Sequence, residues 1–302
     1  MKFSVTGGAG FIGSNLVDQL VKLDHEVIVL DNLSTGNLSN LSSVKNKIKF
    51  IKLDISKPLN SINKYFKNVD NVFHMAGLSN MQSSILNPKE YFRSNVTGTL
   101  NVLEASREAK VKKFIYAASA SCYGIPEDHP ASEKSRINIR YPYALTKFCG
   151  EQLVINWAKI YSMPNVSLRF FNVYGPRSNT KSGYSSVFGV FLTQKFSNKP
   201  LSIVGDGTQT RDFIHVYDLV EAMIKICKKG KNGEIYNVGS GKETTVNSIA
   251  DLIGGKKTSI PRRSGETDRS LADISKIQRQ IKWQPKITIP EGIKMLLKNF
   301  SS

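Results

Sequence analysis

Tyr143 and Lys147 have the residue types and the spacing of an acid–base site. Residues four apart lie on one face of a helix, so both side chains are directed to the same place. A nearby ammonium favours the phenolate and lowers the pKa of the phenol, which makes Tyr143 a usable base near neutral pH. Ser119 lies upstream and can share a substrate proton with that phenol. We therefore expect Ser119, Tyr143 and Lys147 to act together.

A glycine-rich stretch near the N-terminus indicates a site for a dinucleotide phosphate. Gly7, Gly10 and Gly13 follow a GxxGxxG spacing, and Gly8 completes an overlapping GxGxxG. Glycines permit a tight turn that brings bare N–H groups close to a diphosphate at a helix N-terminus. Asp31 follows 18 residues after Gly13, which is about the separation expected for the carboxylate that binds the adenosine ribose hydroxyls. An acid there repels a 2′-phosphate, so we expect NAD rather than NADP.

Short apolar runs alternate with helical patterns through the first part of the chain. The predicted strands are Phe3–Thr6, Glu26–Asp31, Ile48–Ile55, Asn71–His74, Lys113–Ala118 and Ser167–Asn172. The predicted helices are Phe11–Leu23, Ile62–Phe66, Tyr91–Ala109 and Tyr141–Tyr161. This alternation predicts the α/β class, with a doubly wound (Rossmann) parallel sheet. The glycine turn and Ser119 then lie at the edge of the sheet where such folds bind cofactors.

The elements beyond residue 172 are shorter and more irregular. We predict an NAD-binding Rossmann domain over residues 1–172 and a smaller C-terminal α/β substrate lobe over residues 173–302. Glu234–Val238 is a candidate strand that rejoins the main sheet. Ligands favour clefts between such lobes, so we expect the substrate there.

Composition narrows the choice of partners. The 302 residues hold 42 Lys and Arg against 24 Asp and Glu, a net charge of +18 that favours anionic partners without choosing among them. Three cysteines lack a CxxC spacing and four histidines lack an HxxxH pair, so we expect no disulfide framework and no metal. The chain shows no signal segment and no apolar stretch long enough to span a bilayer. We therefore expect a cytoplasmic protein without a membrane partner.

Several motifs occur in order along the chain: TGGAGFIG, DNLSTG, SASCYG, YPYALTK, RFFNVYGPR, GDGTQTRDFIHVYD and YNVGSG. Together they resemble the extended short-chain dehydrogenase/reductases, and more closely the nucleotide-sugar 4-epimerases of the UDP-galactose/UDP-glucose type. The resemblance runs from residue 1 to roughly residue 296. It implies a tightly bound NAD, a UDP-sugar substrate and a homodimer paired through helices 91–109 and 141–161.

The resemblance also implies roles for individual residues. Cofactor contacts are implied for Gly7, Gly10, Phe11, Ile12, Gly13, Asp31, Asn32, Ser34, Thr35, Gly36, Asp54, Ile55, Asn95, Tyr143 and Lys147. Substrate contacts are implied for Ser119, Ser121, Tyr143, Asn172, Arg211, Arg263, Glu266 and Ser270. The catalytic group is Ser119, Tyr143 and Lys147.

The triplet Ser119-Ala120-Ser121 distinguishes reactions within the family. Related 4,6-dehydratases carry Asp and Glu in the matching triplet, and decarboxylating UDP-xylose synthases carry Glu at its third position. Ala120 and Ser121 cannot perform carboxylate chemistry, which leaves epimerisation or a simple oxidation or reduction. The implied epimerase mechanism passes through a 4-keto sugar that turns over before hydride returns to its other face.

Ser270 falls where the family places a gate beside the sugar. A small residue there leaves room for an N-acetyl group, so UDP-GlcNAc and UDP-GalNAc join UDP-Glc and UDP-Gal as candidate substrates. Three alternatives stay open: a UDP-glucuronate 4-epimerase, a nucleotide-sugar 4-reductase or dehydrogenase, and a non-catalytic RNA-binding protein of the same fold. Salt-sensitive RNA binding without sugar turnover would favour the last of these.

Overall fold

Strands and helices alternate along the chain, whose computed structural model describes residues 1–178, 186–262 and 267–300. The strands are β1 (Lys2–Thr6), β2 (Glu26–Asp31), β3 (Ile48–Lys52), β4 (Asn71–His74), β5 (Lys113–Ser119), β6 (Asn165–Phe170), β7 (Asn172–Tyr174), β8 (Leu201–Val204), β9 (Thr210–His215), β10 (Glu234–Val238), β11 (Glu243–Thr245) and β12 (Lys257–Ile260). The helices are α1 (Phe11–Lys22), α2 (Met81–Leu86), α3 (Pro88–Phe92), α4 (Gly98–Glu108), α5 (Pro142–Tyr161), α6 (Val187–Phe196), α7 (Val216–Lys229), α8 (Val246–Ile253), α9 (Ser275–Ile281) and α10 (Ile289–Phe300).

Seven strands form a parallel sheet in the order β3-β2-β1-β4-β5-β6-β10. β1 pairs with β2 on one side and with β4 on the other, so the chain reverses its direction of winding at β1. A doubly wound sheet opens its ligand crevice at that reversal, outside the carboxyl ends of the strands. The predicted α/β class and doubly wound sheet are confirmed.

Helix α5 contains Tyr143 and Lys147, and residues of its own sequence set its ends and its packing against the sheet. Tyr141 precedes it in an extended conformation, and Pro142 occupies the first turn, where its missing N–H costs nothing. Ser162 ends the helix in the left-handed region at φ 54°. Gly150 is required in the middle, because a Cβ there would overlap the hydroxyl of Tyr116 on β5. The close approach holds α5 directly against the sheet.

The chain forms two compact units, each built from three separate segments of the sequence. The sequence-based prediction instead divides the chain into two continuous segments at residue 172. The first unit comprises Met1–Cys122, Ile139–Arg169 and Val220–Tyr236, and the second comprises Tyr123–Asn138, Phe170–Leu219 and Asn237–Ser302. The core of the first unit includes Ile28, Leu30, Phe66, Val102, Phe114 and Tyr116. The core of the second includes Tyr174, Phe188, Phe191, Leu192, Ile249 and Ile293.

The predicted helix Ile62–Phe66 is wrong. The segment forms two short 3₁₀ turns, Leu59–Ser61 and Asn63–Tyr65. Ile62 and Phe66, which flank the second turn, are still fully buried. The apolar spacing therefore identified the buried face but not the helix type. The strand predicted to reach Ile55 ends at Lys52.

Candidate active site

Ser119 and Tyr143 come together at the carboxyl edge of the sheet. Ser119 is the last residue of β5, and Tyr143 lies in the first turn of α5. The Ser119 hydroxyl lies close enough to the Tyr143 phenol to lower the pKa of that phenol, and Ser119 Oγ accepts the backbone N–H of Ser121 at 3.2 Å. The Ser121 hydroxyl is buried without a partner among the described residues. The hydroxyls of Ser119 and Tyr143 are thus placed where a substrate hydroxyl can exchange a proton.

Lys147 lies one turn after Tyr143 on the same side of α5. Its side chain is buried, and its Nζ stands 4.5 Å from the centroid of the Tyr116 ring. Burial lowers the pKa of Lys147 to about 7. The backbone of Gly77 passes close by, since a Cβ at that position would lie 3.6 Å from Nζ. Lys147 is therefore balanced between its charged and neutral forms near neutral pH.

The acidity of Tyr143 differs from the expectation drawn from its sequence spacing. Burial raises the pKa of the Tyr143 phenol to about 12, and the neighbouring Ser119 hydroxyl offsets only part of that rise. The expected lowering of this pKa by the Lys147 ammonium is wrong for the protein alone. Desolvation disfavours the charged form of both groups, so the lysine itself is only partly protonated near neutral pH.

Asn95 reaches the site from a π-helical turn. Helix α3 continues through the π-helical turn Arg93–Thr97 into α4 without a break, and such turns are frequent at functional sites. The buried Asn95 accepts the N–H of Leu78 through Oδ1 at 2.8 Å and donates through Nδ2 to the Leu78 carbonyl at 2.9 Å. Nδ2 also donates to Thr146 Oγ1 at 3.0 Å. Asn95 thus ties the loop after β4 to α5.

Tyr91 is a neighbour of Tyr143 that the sequence analysis missed. Its buried ring meets the Tyr143 ring edge-on, with centroids 6.5 Å apart and an interplanar angle of 78°. Its hydroxyl donates to the carbonyl of Asn80 at 2.6 Å. The sequence could have indicated Tyr91, because it lies four residues before Asn95 and that spacing directs both side chains to the same side of a helix.

The glycine turn packs tightly between β1 and α1. Gly7 has φ +68°, and a Cβ there would lie 2.6 Å from the backbone nitrogen of Ala76, in the loop after β4. A Cβ at Gly13 would lie 2.8 Å from the Cα of Gly8. The Gly7 N–H donates to the Leu30 carbonyl at 2.8 Å, which joins the turn to β2. Bare backbone therefore remains at the start of α1, as a bound diphosphate requires.

Asp31 is the buried last residue of β2. Its Oδ2 accepts the N–H of Ala9 at 2.9 Å, and its Oδ1 accepts the N–H of Leu33 at 2.8 Å. Each carboxylate oxygen has further lone-pair capacity, which ribose hydroxyls can use. Gly36 lies against the carboxylate, since a Cβ there would be 2.9 Å from Oδ1. This geometry fits the adenosine end of a dinucleotide.

The other predicted cofactor residues near Asp31 lie around the same turn. Asn32 accepts the N–H of Ser34 through Oδ1 at 2.9 Å, and Ser34 and Thr35 are exposed to a ligand. Phe11 and Ile12 open α1 and are half-buried. The structure therefore brings these residues together with the glycine turn.

Asp54 and Ile55 follow β3. Burial pushes the pKa of Asp54 upward, but hydrogen bonds from Arg93 and Ser56 outweigh burial and leave this pKa below its usual value. Arg93 Nη1 contacts Asp54 Oδ2 at 2.8 Å. The buried side chain of Ile55 packs against Gly98, where a Cβ would lie 2.7 Å from Cδ1. Any ligand contact made by Asp54 is therefore shared with Arg93.

The second unit holds the remaining predicted substrate residues on and beside β9. Asn172 Nδ2 donates to the Asp212 carbonyl at 3.1 Å, and Arg211 Nη1 donates to the Thr210 carbonyl at 2.8 Å. The carbonyl of the half-buried Ser270 accepts the Asp212 N–H at 2.7 Å. Asn172, Arg211 and Ser270 thus lie on or beside neighbouring strands. The predicted contacts Arg263 and Glu266 lie outside the described residues.

Three further findings concern metals, cysteines and membranes. Among the residues that the structure describes, no group of three or more His, Cys, Asp or Glu side chains could hold a metal ion. Cys122, Cys149 and Cys227 are free thiols. Within the same described ranges, none of the helices has the length and apolar character needed to cross a membrane.

Comparisons with known proteins agree with this geometry. The model of the NAD dependent epimerase/dehydratase family matches residues 3–239. A UDP-glucose 4-epimerase from Mycolicibacterium smegmatis is 35% identical over 97% of this chain and 96% of its own length. The crystal structure of the UDP-glucose 4-epimerase from Thermotoga maritima with UDP-glucose has a TM-score of 0.94 and 32% identity, and it covers 100% of this chain and 99% of its own.

A third relative carries the cofactor. The UDP-glucuronic acid 4-epimerase from Bacillus cereus, solved with UDP-glucuronic acid and NAD, has a TM-score of 0.92 and 30% identity. It covers 100% of this chain and 99% of its own. The glycine turn and Asp31 fit that cofactor. The chain therefore belongs to the NAD-dependent epimerase/dehydratase family, as an extended short-chain dehydrogenase/reductase of the nucleotide-sugar epimerase type whose cofactor is NAD.

Proposed function

We propose that this protein interconverts two UDP-hexoses that differ at C4, UDP-galactose and UDP-glucose. It would do so with a tightly held NAD that is regenerated in each turnover. The observation that carries the proposal is the placement of Ser119 beside the Tyr143 phenol, one helical turn from the buried Lys147. Ala120 and Ser121 complete the triplet with no carboxylate, so the site has no acid–base pair there for elimination.

Tyr143 and Ser119 have different roles in the proposed reaction. Tyr143 accepts the proton of the sugar 4-hydroxyl, while Ser119 hydrogen-bonds the same oxygen and holds it in place. Bound NAD supplies a hydride acceptor and donor for the sugar carbon. The resulting 4-keto sugar turns about its linkage to the diphosphate, and Tyr143 returns the proton once the other face is presented. The site must therefore hold the nucleotide firmly and the sugar loosely.

The pKa values support a base that is activated by its ligands. In the protein alone burial raises the pKa of Tyr143 to about 12, so the phenol keeps its proton at neutral pH. An added positive charge beside the phenol would stabilise the phenolate and also reduce the protonation of Lys147. We infer that Tyr143 accepts a proton only when oxidised NAD is bound, which would supply this charge, and that Lys147 adds to it only in the fraction that stays protonated.

Residues of the second unit are proposed to bind the nucleotide. Arg211 offers a guanidinium and Asn172 an amide, both suited to a diphosphate. Arg263 and Glu266 join them on the basis of the family resemblance alone. Ser270 is proposed to lie beside the sugar, where its small side chain admits an N-acetyl group.

UDP-glucuronate is the second candidate substrate. Its support is the relative solved with UDP-glucuronic acid, which covers the chain as fully as the UDP-glucose 4-epimerase does. A nucleotide-sugar 4-reductase or dehydrogenase is less well supported, because the relatives reported above are 4-epimerases. The two classes differ in whether turnover changes the amount of free NADH.

We further propose a homodimer formed through the helical segment 91–109 and α5. A groove of about 570 Å³ on this face is lined mainly by apolar side chains, among them Val96, Leu145, Phe148, Trp157 and Ile160. Leu145 and Ile160 are 37% and 64% exposed. Exposed apolar patches of this kind commonly mark protein–protein interfaces. A second copy would cover this surface. Analytical ultracentrifugation of Leu145→Glu should show monomers where the wild type is dimeric.

A cytoplasmic location completes the proposal. The three free thiols are typical of a reducing compartment. Cell fractionation with an antibody against the protein tests this location, and recovery in an extracellular fraction would contradict it.

A substrate panel tests the proposed function. Purified protein is incubated with UDP-Glc, UDP-Gal, UDP-GlcNAc, UDP-GalNAc and UDP-glucuronate, and the products are resolved by epimer. We expect UDP-Gal and UDP-Glc to interconvert without any net change in free NADH, and the denatured protein to release NAD. Stoichiometric consumption of added NADH or NAD would instead identify a reductase or dehydrogenase.

A further inference from the structure

We propose that Tyr91 is a positioning residue that holds the ring of Tyr143 in its reactive orientation and ties it to the loop after β4. This inference rests on the proposed function, since Tyr143 is the base of that reaction. Tyr91 belongs to neither the glycine turn nor the Ser/Tyr/Lys group. Its role follows from its contacts with both the base and the adjoining loop.

The first contact is between the two aromatic rings. Tyr91 meets Tyr143 edge-on at 6.5 Å, while Tyr141 stacks on Tyr143 with centroids 6.3 Å apart and planes within 10°. Both arrangements are favourable for aromatic pairs. With Ser119 beside the phenol, the Tyr143 side chain has neighbours from three segments of the chain.

The second contact fixes Tyr91 itself. The Tyr91 side chain is only 3% exposed, and its hydroxyl donates to the Asn80 carbonyl at 2.6 Å. Asn80 in turn caps α2 by accepting the N–H of Ser83 through Oδ1 at 2.7 Å. The Tyr91 ring therefore has little freedom to tilt, and it transmits that rigidity to Tyr143.

Tyr91 and Asn95 lie on one continuous helix. Because α3 continues through the π-helical turn into α4, both side chains project from a single rigid element. Asn95 bonds the loop after β4 at Leu78, and Tyr91 bonds the same loop at Asn80. Asn95 also contacts α5 at Thr146, and Tyr91 contacts it at Tyr143. The helix thus clamps the loop and the base-bearing face of α5 together at two points.

Small errors of position are costly at such a site. A displacement of about 1 Å can lower the rate about 100-fold. Replacing Tyr91 with Leu removes the edge contact and leaves a gap, whereas Phe keeps the ring and loses only the bond to Asn80. The two substitutions therefore separate the ring contact from the hydrogen bond.

The first experiment measures steady-state kinetics of Tyr91→Leu and Tyr91→Phe with UDP-Gal. We expect kcat to fall about 10- to 100-fold in the Leu variant and by less in the Phe variant, with KM changing less than about twofold, because nucleotide binding is untouched. Equal kcat in the Leu variant and the wild type would overturn the proposal. A rise in KM without a fall in kcat would do the same.

A double-substitution cycle separates positioning from general destabilisation. If Tyr91 acts through Tyr143, Tyr91→Leu should cost little further activity in the Tyr143→Phe background. A full additional loss there would show that Tyr91 acts independently. Tyr236→Leu is the matched control, since Tyr236 is also a fully buried tyrosine but lies on β10. It should lower the melting temperature without the selective fall in kcat.

A final measurement needs no turnover and so remains informative if the proposed function fails. Ultraviolet difference titration of the wild type against Tyr143→Phe isolates the ionisation of the Tyr143 phenol. The groups facing that phenol are Ser119, Tyr141, Tyr91, Cys122 and the nearby Lys147. In Tyr91→Leu, water enters and the Tyr143 titration should move to lower pH. An unchanged titration would contradict close packing of Tyr91 on Tyr143, whatever the substrate proves to be.

Discussion

The backbone N–H of Ala9, in the glycine turn, donates a 2.9 Å hydrogen bond to Oδ2 of Asp31 at the end of β2. The residue expected to bind the ribose therefore also fixes the turn expected to bind the diphosphate. Oδ1 of Asp31 accepts the Leu33 N–H, so both oxygens are oriented before any ligand arrives. Such prior orientation lowers the entropy lost on binding.

Asp31→Asn should weaken NAD binding and relax the discrimination against NADP. The substitution removes the charge that repels a 2′-phosphate and weakens the bonds to the ribose, which are worth about 1.5–3 kcal/mol when one partner is charged. Titration calorimetry on cofactor-free protein should show NAD affinity about 10- to 100-fold lower. The control Asp18→Asn, in α1, should bind NAD as the wild type does. Unaltered NAD affinity in Asp31→Asn would show that this carboxylate does not bind the ribose.

The buried Lys147 should leave a signature in the pH dependence of stability. Its pKa of about 7 in the folded protein lies below the ordinary lysine value, so the unfolded state holds more protons between pH 7 and that value. The free energy of unfolding should then rise with pH, by at most about 1.4 kcal/mol per pH unit from this one group. Urea unfolding at pH 7 and pH 9 should show this rise in the wild type but not in Lys147→Met.

The control for that experiment is Lys159→Met, which removes an exposed lysine from the same helix. It should retain the pH dependence of the wild type. Identical pH dependence in Lys147→Met and the wild type would mean that Lys147 is not desolvated in the folded protein.

Ser270→Tyr should narrow the range of sugars. The chain beside Ser270 is fixed by the bond from the Asp212 N–H and by the ion pair of Arg269 with Glu243 at 2.5 Å. A bulky ring on this fixed segment would occupy the space for an N-acetyl group. We expect kcat/KM for UDP-GalNAc to fall at least about 10-fold relative to that for UDP-Gal, the scale of steric discrimination in a pocket. Ser270→Ala should keep the ratio, and an unchanged ratio in Ser270→Tyr would remove Ser270 from the sugar pocket.

The sequence predicted the features that depend on local spacing. The apolar runs and their punctuation located β1, β2 and β4 closely, since buried parallel strands are short and bounded by turn residues. The doubly wound class then followed from the alternation of strands and helices and from the handedness of crossovers. Ser119 and Tyr143, far apart in sequence, meet because a strand end and the first turn of the next long helix share one edge of the sheet.

Features that depend on packing were not predictable in the same way. Tyr91 was absent from the predicted site because an aromatic residue at helical spacing is usually part of the core. The acidity of Tyr143 was predicted from one neighbouring charge, whereas desolvation from the surrounding rings outweighs it. Strands β11 and β12 were not predicted because their sequences, ETT and KTSI, are mostly polar and so contain no apolar run of the kind that located β4.

The central claim is that the phenol of Tyr143 moves the proton of the sugar 4-hydroxyl, and turnover of UDP-Gal by Tyr143→Phe tests it most directly. The substitution keeps the ring contacts with Tyr91 and Tyr141 and removes only the hydroxyl. The control is Tyr161→Phe, at the exposed end of the same helix. We predict a fall in kcat of about 10²- to 10⁴-fold in Tyr143→Phe with unchanged NAD content, as for loss of an acid–base group. Turnover near that of the wild type would contradict the account.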